Sequence, residues 1–139
     1  MKNFLRITFL LLCISFMSCK KAIENKQRDM LIDAITNGEW KVHQYLEGSI
    51  DITNQFYGYT FKFEELGTVQ ARYVGSPYAD GTWVGDVNNY TITSNFPGIS
   101  DPVNKLNGVW KLTDSYWDYV EAEMITATGK NILHLIKKP

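Results

Sequence analysis

The stretch FYGYTFKF, residues 56–63, sets Tyr57, Tyr59, Phe61 and Phe63 on one side of an extended chain and Gly58, Thr60 and Lys62 on the other. A period of two is the signature of a strand with one buried face. The same alternation recurs as Trp40 and Val42 against Lys41 and His43, and as Trp110 and Leu112 against Lys111 and Thr113. After Gly38 the chain consists of segments of this kind, rich in Tyr, Phe, Trp, Val, Ile and Thr and separated by turn-forming clusters. Strands are predicted near 39–46, 56–64, 67–74, 81–86, 89–94, 108–115, 117–126 and 131–137. EELG (64–67), VNN (87–89) and TGK (128–130) are short enough for hairpins, and SPYADG (76–81) reads as a longer one.

A meander of eight strands leaves two open edges, and joining them removes an aggregation hazard. The expected fold is therefore mainly β: an eight-stranded antiparallel up-and-down barrel. A barrel of that size holds filling side chains or one small ligand. Leu31, Ala34 and Ile35 suit one face of a short helix over 24–36, which Asn37-Gly38 stops. FPGISDPVNKLN, 96–107, breaks the strand pattern and is either a crossing between halves or a flap over one mouth.

The N-terminus has a different logic. Lys2 and Arg6 precede the uncharged run ITFLLLCISFM, residues 7–17, and then Ser18 and Cys19. Such a run is too short for a spanning helix, which needs about 20 residues, and reads as a secretory signal. Small Ser18 directly before Cys19 resembles the bacterial lipobox, with Phe16 where Leu is usual. The resemblance implies cleavage between Ser18 and Cys19 by signal peptidase II and lipidation of Cys19, with no cofactor. Lys20 after the cysteine, by the same resemblance, implies sorting to the outer membrane of a Gram-negative envelope. KKAIENK lacks an acidic cluster, which favours the periplasmic face over the cell surface. Several acyl chains on one cysteine make a durable anchor. The alternative is a plain secreted protein with an incidental Cys19.

The expected organisation is a signal peptide over 1–18, a tether over 19–26 and one domain over 27–139. A leader of 18 residues taken from 139 leaves enough chain for one core and too little for two. Cys13 leaves with the leader and Cys19 is the lipid site, so no disulfide is available and packing must supply stability. A near-neutral formal charge of −1 gives no electrostatic basis for binding nucleic acid.

GEWKV (38–42), GTWVG (81–85) and GVWKL (108–112) echo one another, with glycine ending a turn and tryptophan opening a strand. Gly38-Glu39-Trp40 opening the first strand, followed by YTFKFEELGTV, Gly81-Thr82-Trp83 and Leu106-Asn107-Gly108-Val109-Trp110, resembles the lipocalins and the wider calycin group. With the lipobox ahead, the chain is similar to small lipocalin-like lipoproteins of Gram-negative bacteria over roughly 31–137. The resemblance implies a basic residue stacked on a tryptophan, for which Lys111, Lys130 and Arg72 are candidates. It also implies a small hydrophobic ligand or an envelope component as partner.

Chemistry-bearing patterns are sparse. His43 and His134 have no second ligand at metal-binding spacing, and no nucleophile elbow or phosphate loop occurs, so neither a metal site nor an enzyme is expected. In DSYWDYVEAE, 114–123, Glu121 and Glu123 either face the interior as an acid pair or lie outside while Val120, Ala122 and Met124 face the core. Trp40, Tyr57, Tyr59, Phe61 and Tyr73 are the pocket candidates, either walls of a small hydrophobic site or core filler. If they are filler, the protein is an accessory subunit of an outer-membrane complex, with SPYADG and FPGISDPVNK as contact loops. Oligomeric state is not legible.

Overall fold

The computed structural model describes residues 20–139, so Ser18 and Cys19 lie outside the described residues. A helix, α1, runs over residues 20–36. Nine strands follow: β1 (Trp40–Glu47), β2 (Ile50–Asp51), β3 (Tyr59–Phe63), β4 (Thr68–Tyr73), β5 (Ser76–Asp86), β6 (Thr91–Asn95), β7 (Gly108–Ser115), β8 (Tyr119–Thr126) and β9 (Gly129–Lys137). All pair antiparallel with their neighbours, and β1 pairs with β9, which closes β1 and β3–β9 into an eight-stranded barrel. The two-residue β2 only flanks β1.

Closure is uneven. β1 meets β9 over seven residue pairs but touches β3 only at Trp40 and Phe61. A bulge at His43 resets the inward face of β1, so Tyr45 rather than Gln44 enters the core. The helical backbone extends back through 20–26, the stretch expected as a tether, and its side chains there are largely exposed. The helix ends at the expected place: the Asn37 N–H donates to the Asp33 carbonyl, and Gly38 takes a φ of 99°.

One hairpin and one strand start need correction. SPYADG is not a turn: Ser76 to Gly81 belong to β5, and the reversal is the two-residue turn Val74-Gly75. Pro77 misled because it reads as a breaker, yet it sits where the β4–β5 register shifts, a position that tolerates proline. The strand expected over 56–64 begins only at Tyr59: Phe56 ends a 3-10 turn over Thr53–Phe56, and Gly58, at a φ of 86°, breaks the extended chain.

Both mouths are covered. At the lower one, α1 buries Ile35 against the barrel, and the Trp40 indole N–H donates to the Ile35 carbonyl at 2.8 Å. Loop 96–107 is a plug rather than a free flap: its 3-10 turn, Val103–Leu106, buries Val103 and Leu106 in the upper mouth. The loop is held by the Tyr45 hydroxyl donating to the Lys105 carbonyl at 2.9 Å and by the Ser94 hydroxyl donating to the Leu106 carbonyl. Asn107 clamps its ends, accepting from the Phe96 N–H at 2.6 Å and donating to the Phe96 carbonyl at 3.1 Å.

Trp40, Trp83 and Trp110 share one role. Each ring is buried and each indole donates to a backbone carbonyl, that of Ile35, Glu64 and Leu106 respectively. Burying indole at no hydrogen-bond cost is what these positions achieve. The cation over the Trp40 ring is Lys137, its Nζ 5.3 Å from the centroid, and not Lys111, Lys130 or Arg72. Its place follows from register, since Lys137 is the β9 partner of Trp40.

Candidate functional site

The first place to seek a ligand is the barrel interior. Phe61, Phe63, Phe96, Trp110, Leu112 and Leu133 are among the side chains around its cavity, whose volume is ≈ 50 Å³. The walls are almost wholly apolar, with the Ser94 hydroxyl already committed to the Leu106 carbonyl. Phe61 and Phe96 cross edge to face at 6.3 Å, and Tyr45 stacks on Phe56 at 5.2 Å. Sites for small molecules span roughly 300–1,000 Å³. The interior is filled.

The five pocket candidates separate accordingly. Trp40 and Phe61 lie inside. Tyr59 and Tyr73 pair across β3 and β4 above the β1–β3 contact, Tyr59 half-buried against the core and Tyr73 exposed. Tyr78, which sequence reasoning left in a turn, completes a cluster there: Tyr59 and Tyr73 centroids are 4.9 Å apart, Tyr59 and Tyr78 5.3 Å. Burial and the neighbouring Tyr78 hydroxyl raise the pKa of Tyr59. Tyr57 is not in any pocket wall of the interior; it is 88% exposed, since Gly58 turns the chain and puts Phe56 in the core instead.

Beside this cluster runs an open groove of ≈ 680 Å³ lined by Val42, His43, Tyr57, Tyr59, Val74 and Lys138, among others. Val74 stands at its edge with a φ of 48°, a conformation that a β-branched residue adopts only under strain. Its side chain is 73% exposed, so no burial compensates. Strained backbone presenting an apolar side chain to solvent is the surface feature most in need of a functional explanation.

The remaining polar candidates resolve to the outer face. Val120 and Ala122 are buried while Glu121 and Glu123 point outward, toward His134 at 3.5 Å and Lys130 at 3.0 Å. His43 is exposed. Among the described residues no group of three or more His, Cys, Asp or Glu could hold a metal, and no helix is long and apolar enough to cross a membrane. Sequence reasoning missed the buried pair Tyr45 and Asn131, whose amide donates to the Tyr45 hydroxyl at 3.3 Å. Burial raises the Tyr45 pKa to about 12, so the hydroxyl stays protonated and keeps its bond to Lys105.

No protein-family model and no curated protein matches the chain. Among solved structures, a DUF4847 family protein of Bacteroides vulgatus ATCC 8482 is similar in fold, with a TM-score of 0.56 at 14% identity, covering 78% of this chain and 99% of that one. At that identity the likeness concerns the fold alone: an antiparallel barrel, consistent with a calycin-like architecture.

Proposed function

We propose that the protein is a calycin-like lipoprotein, anchored through Cys19 to the outer membrane on its periplasmic face, whose filled barrel is a rigid platform for binding another envelope component. The observation that carries this reading over a ligand carrier is the filled interior, whose cavity of ≈ 50 Å³ is smaller by severalfold than the usual small-molecule site. Binding then falls to the surface. The patch of Tyr57, Tyr59, Tyr73, Tyr78 and Val74 supplies it, because tyrosines offer large contact area with little side-chain entropy to lose. The contact region thus includes Tyr78 of SPYADG, whereas the plug loop 96–107 serves the fold.

The anchor is tested by the mass of the membrane-extracted protein, which should carry a diacylglyceryl thioether on Cys19. Cys19→Ala should give a longer, detergent-independent product. The platform is tested by crosslinking in intact envelopes, comparing wild type with the Tyr73→Ser/Tyr78→Ser variant. A defined crosslinked partner that disappears in the variant supports the reading. A stoichiometric, extractable small molecule in the wild-type protein sinks it.

A further inference from the structure

Helical backbone is already present at residue 20, next to the proposed lipid-bearing Cys19. Among the described residues α1, about 25 Å long for its 17 residues at 1.5 Å each, is the connection that leads from the residue after Cys19 to the barrel. The orientation of the barrel is therefore constrained, and the end that α1 covers lies nearest the bilayer.

That end is unusual. The turns there carry Leu66 between β3 and β4, Tyr90 between β5 and β6, and Tyr116 and Trp117 between β7 and β8, all large apolar side chains exposed to solvent. Leu66 is 96% exposed. Tyr90 has a φ of 53°, so a ring is held outward at a position where glycine or asparagine would fit without strain. On α1, Ile23 and Met30 are exposed and, seven residues apart, share one helix face. Met30 and Ala34 continue that face into an apolar cleft of ≈ 310 Å³ shared with Tyr116 and Trp117. Trp117 is 58% exposed, while the other three tryptophans are buried.

We propose that this end of the barrel, from Ile23 and Met30 to Tyr116 and Trp117, rests on the bilayer surface with Trp117 among the lipid head groups. The proposal rests on the anchor at Cys19. Tryptophan and tyrosine favour the membrane interface because their rings are apolar and their N–H or O–H remains hydrated. Lys137, with its Nζ 6.0 Å from the Trp117 ring centroid, supplies a cation at the same level. Glu65, Asp86 and Asp118 border these turns while Lys20, Lys21, Lys26 and Arg28 lie on α1, a mixed charge that suits a zwitterionic surface and does not call for a strongly anionic one. In this orientation the Tyr59–Tyr73–Tyr78 cluster, at the other end of β3 and β4, whose five and six residues span about 17–20 Å, faces away from the membrane toward a partner.

The test uses the full lipidated protein in vesicles of phosphatidylcholine and phosphatidylethanolamine, with or without brominated acyl chains. Because Trp40, Trp83 and Trp110 are buried, contact quenching reports Trp117. The expected result is lower emission in brominated vesicles, a difference abolished by Trp117→Phe, which still floats with the vesicles. A protein that floats with equal emission in both vesicle types refutes the docking and leaves the anchor standing. One that fails to float refutes both together. Trp117 unquenched by bromine but shielded from acrylamide in native membranes assigns the cleft to a protein partner and overturns the proposal.

Discussion

Val74→Asn should make the protein more stable and less able to bind its partner. Val74 and Gly75 have φ of 48° and 80°, both left-handed, and together form the β4–β5 turn between the paired Tyr73 and Ser76. Asn-Gly is the sequence such a turn favours, because asparagine tolerates the left-handed region that valine resists. A residue with a branched Cβ gives up about 1–2 kcal/mol in that region, and asparagine recovers a large part of it. The substitution leaves the backbone bond from the Val74 N–H to the Gly58 carbonyl, 2.8 Å, untouched. It removes a side chain that is mostly exposed, so little burial is lost. A gain of about 1 kcal/mol corresponds to a rise in Tm of roughly 3–6 °C for a domain of this size. Thermal melts by circular dichroism measure it, and envelope crosslinking measures the loss of partner. A lower Tm would refute the claim that the turn is strained for what it presents, since Val74 would then be contributing to the fold.

Gly81→Ala should destabilise by about 1–3 kcal/mol, since a Cβ there would meet the Asn95 carbonyl oxygen at 2.6 Å and the Phe96 ring at 2.7 Å; urea titration reads this as a lower midpoint with unchanged slope. Phe61→Ala should cost about 3–5 kcal/mol and enlarge the existing cavity enough for the variant, unlike the wild type, to take up benzene in a crystal soak. Burial works to raise the Glu39 pKa, but the bond from Arg72 at 2.6 Å and the nearby Lys138 outweigh it and hold the carboxyl below its ordinary 4.5. The depressed pKa means that Glu39 contributes stability above about pH 4.5 that is lost as pH falls through the folded value. Glu39→Gln should therefore lower stability at pH 7 by less than about 1 kcal/mol and flatten its dependence on acid, as followed by melts from pH 7 to 3.

The barrel was legible because period-two alternation between turn clusters is imposed by burying one face of every strand. The Gly-x-Trp echoes were legible in part: Trp40 and Trp110 stand at or near the start of their strands and donate to carbonyls just upstream, those of Ile35 and Leu106, whereas Trp83 does not open a strand but lies within β5 and donates to Glu64 in the β3–β4 turn. What escaped was local. The bulge at His43, which brings Tyr45 rather than Gln44 inside, carries no composition signal. Val74-Gly75 was hidden because valine is the wrong residue for a left-handed turn. Tyr57 was misplaced by extending alternation through Gly58, whose φ of 86° ends it. The sequence of loop 96–107 suits a crossing or a flap over one mouth, and its insertion of Val103 and Leu106 stayed unseen because its prolines and glycine describe the path of the backbone and not the two side chains it inserts. Lys137 was unassignable until register set it opposite Trp40.

The filled interior is tested most directly with brominated palmitate and the Trp117→Phe protein, in which every remaining tryptophan is buried and Trp110 lines the cavity. Titration should leave the emission unchanged. Saturable quenching of Trp110 would place a ligand inside the barrel and contradict the reading of this protein as a platform.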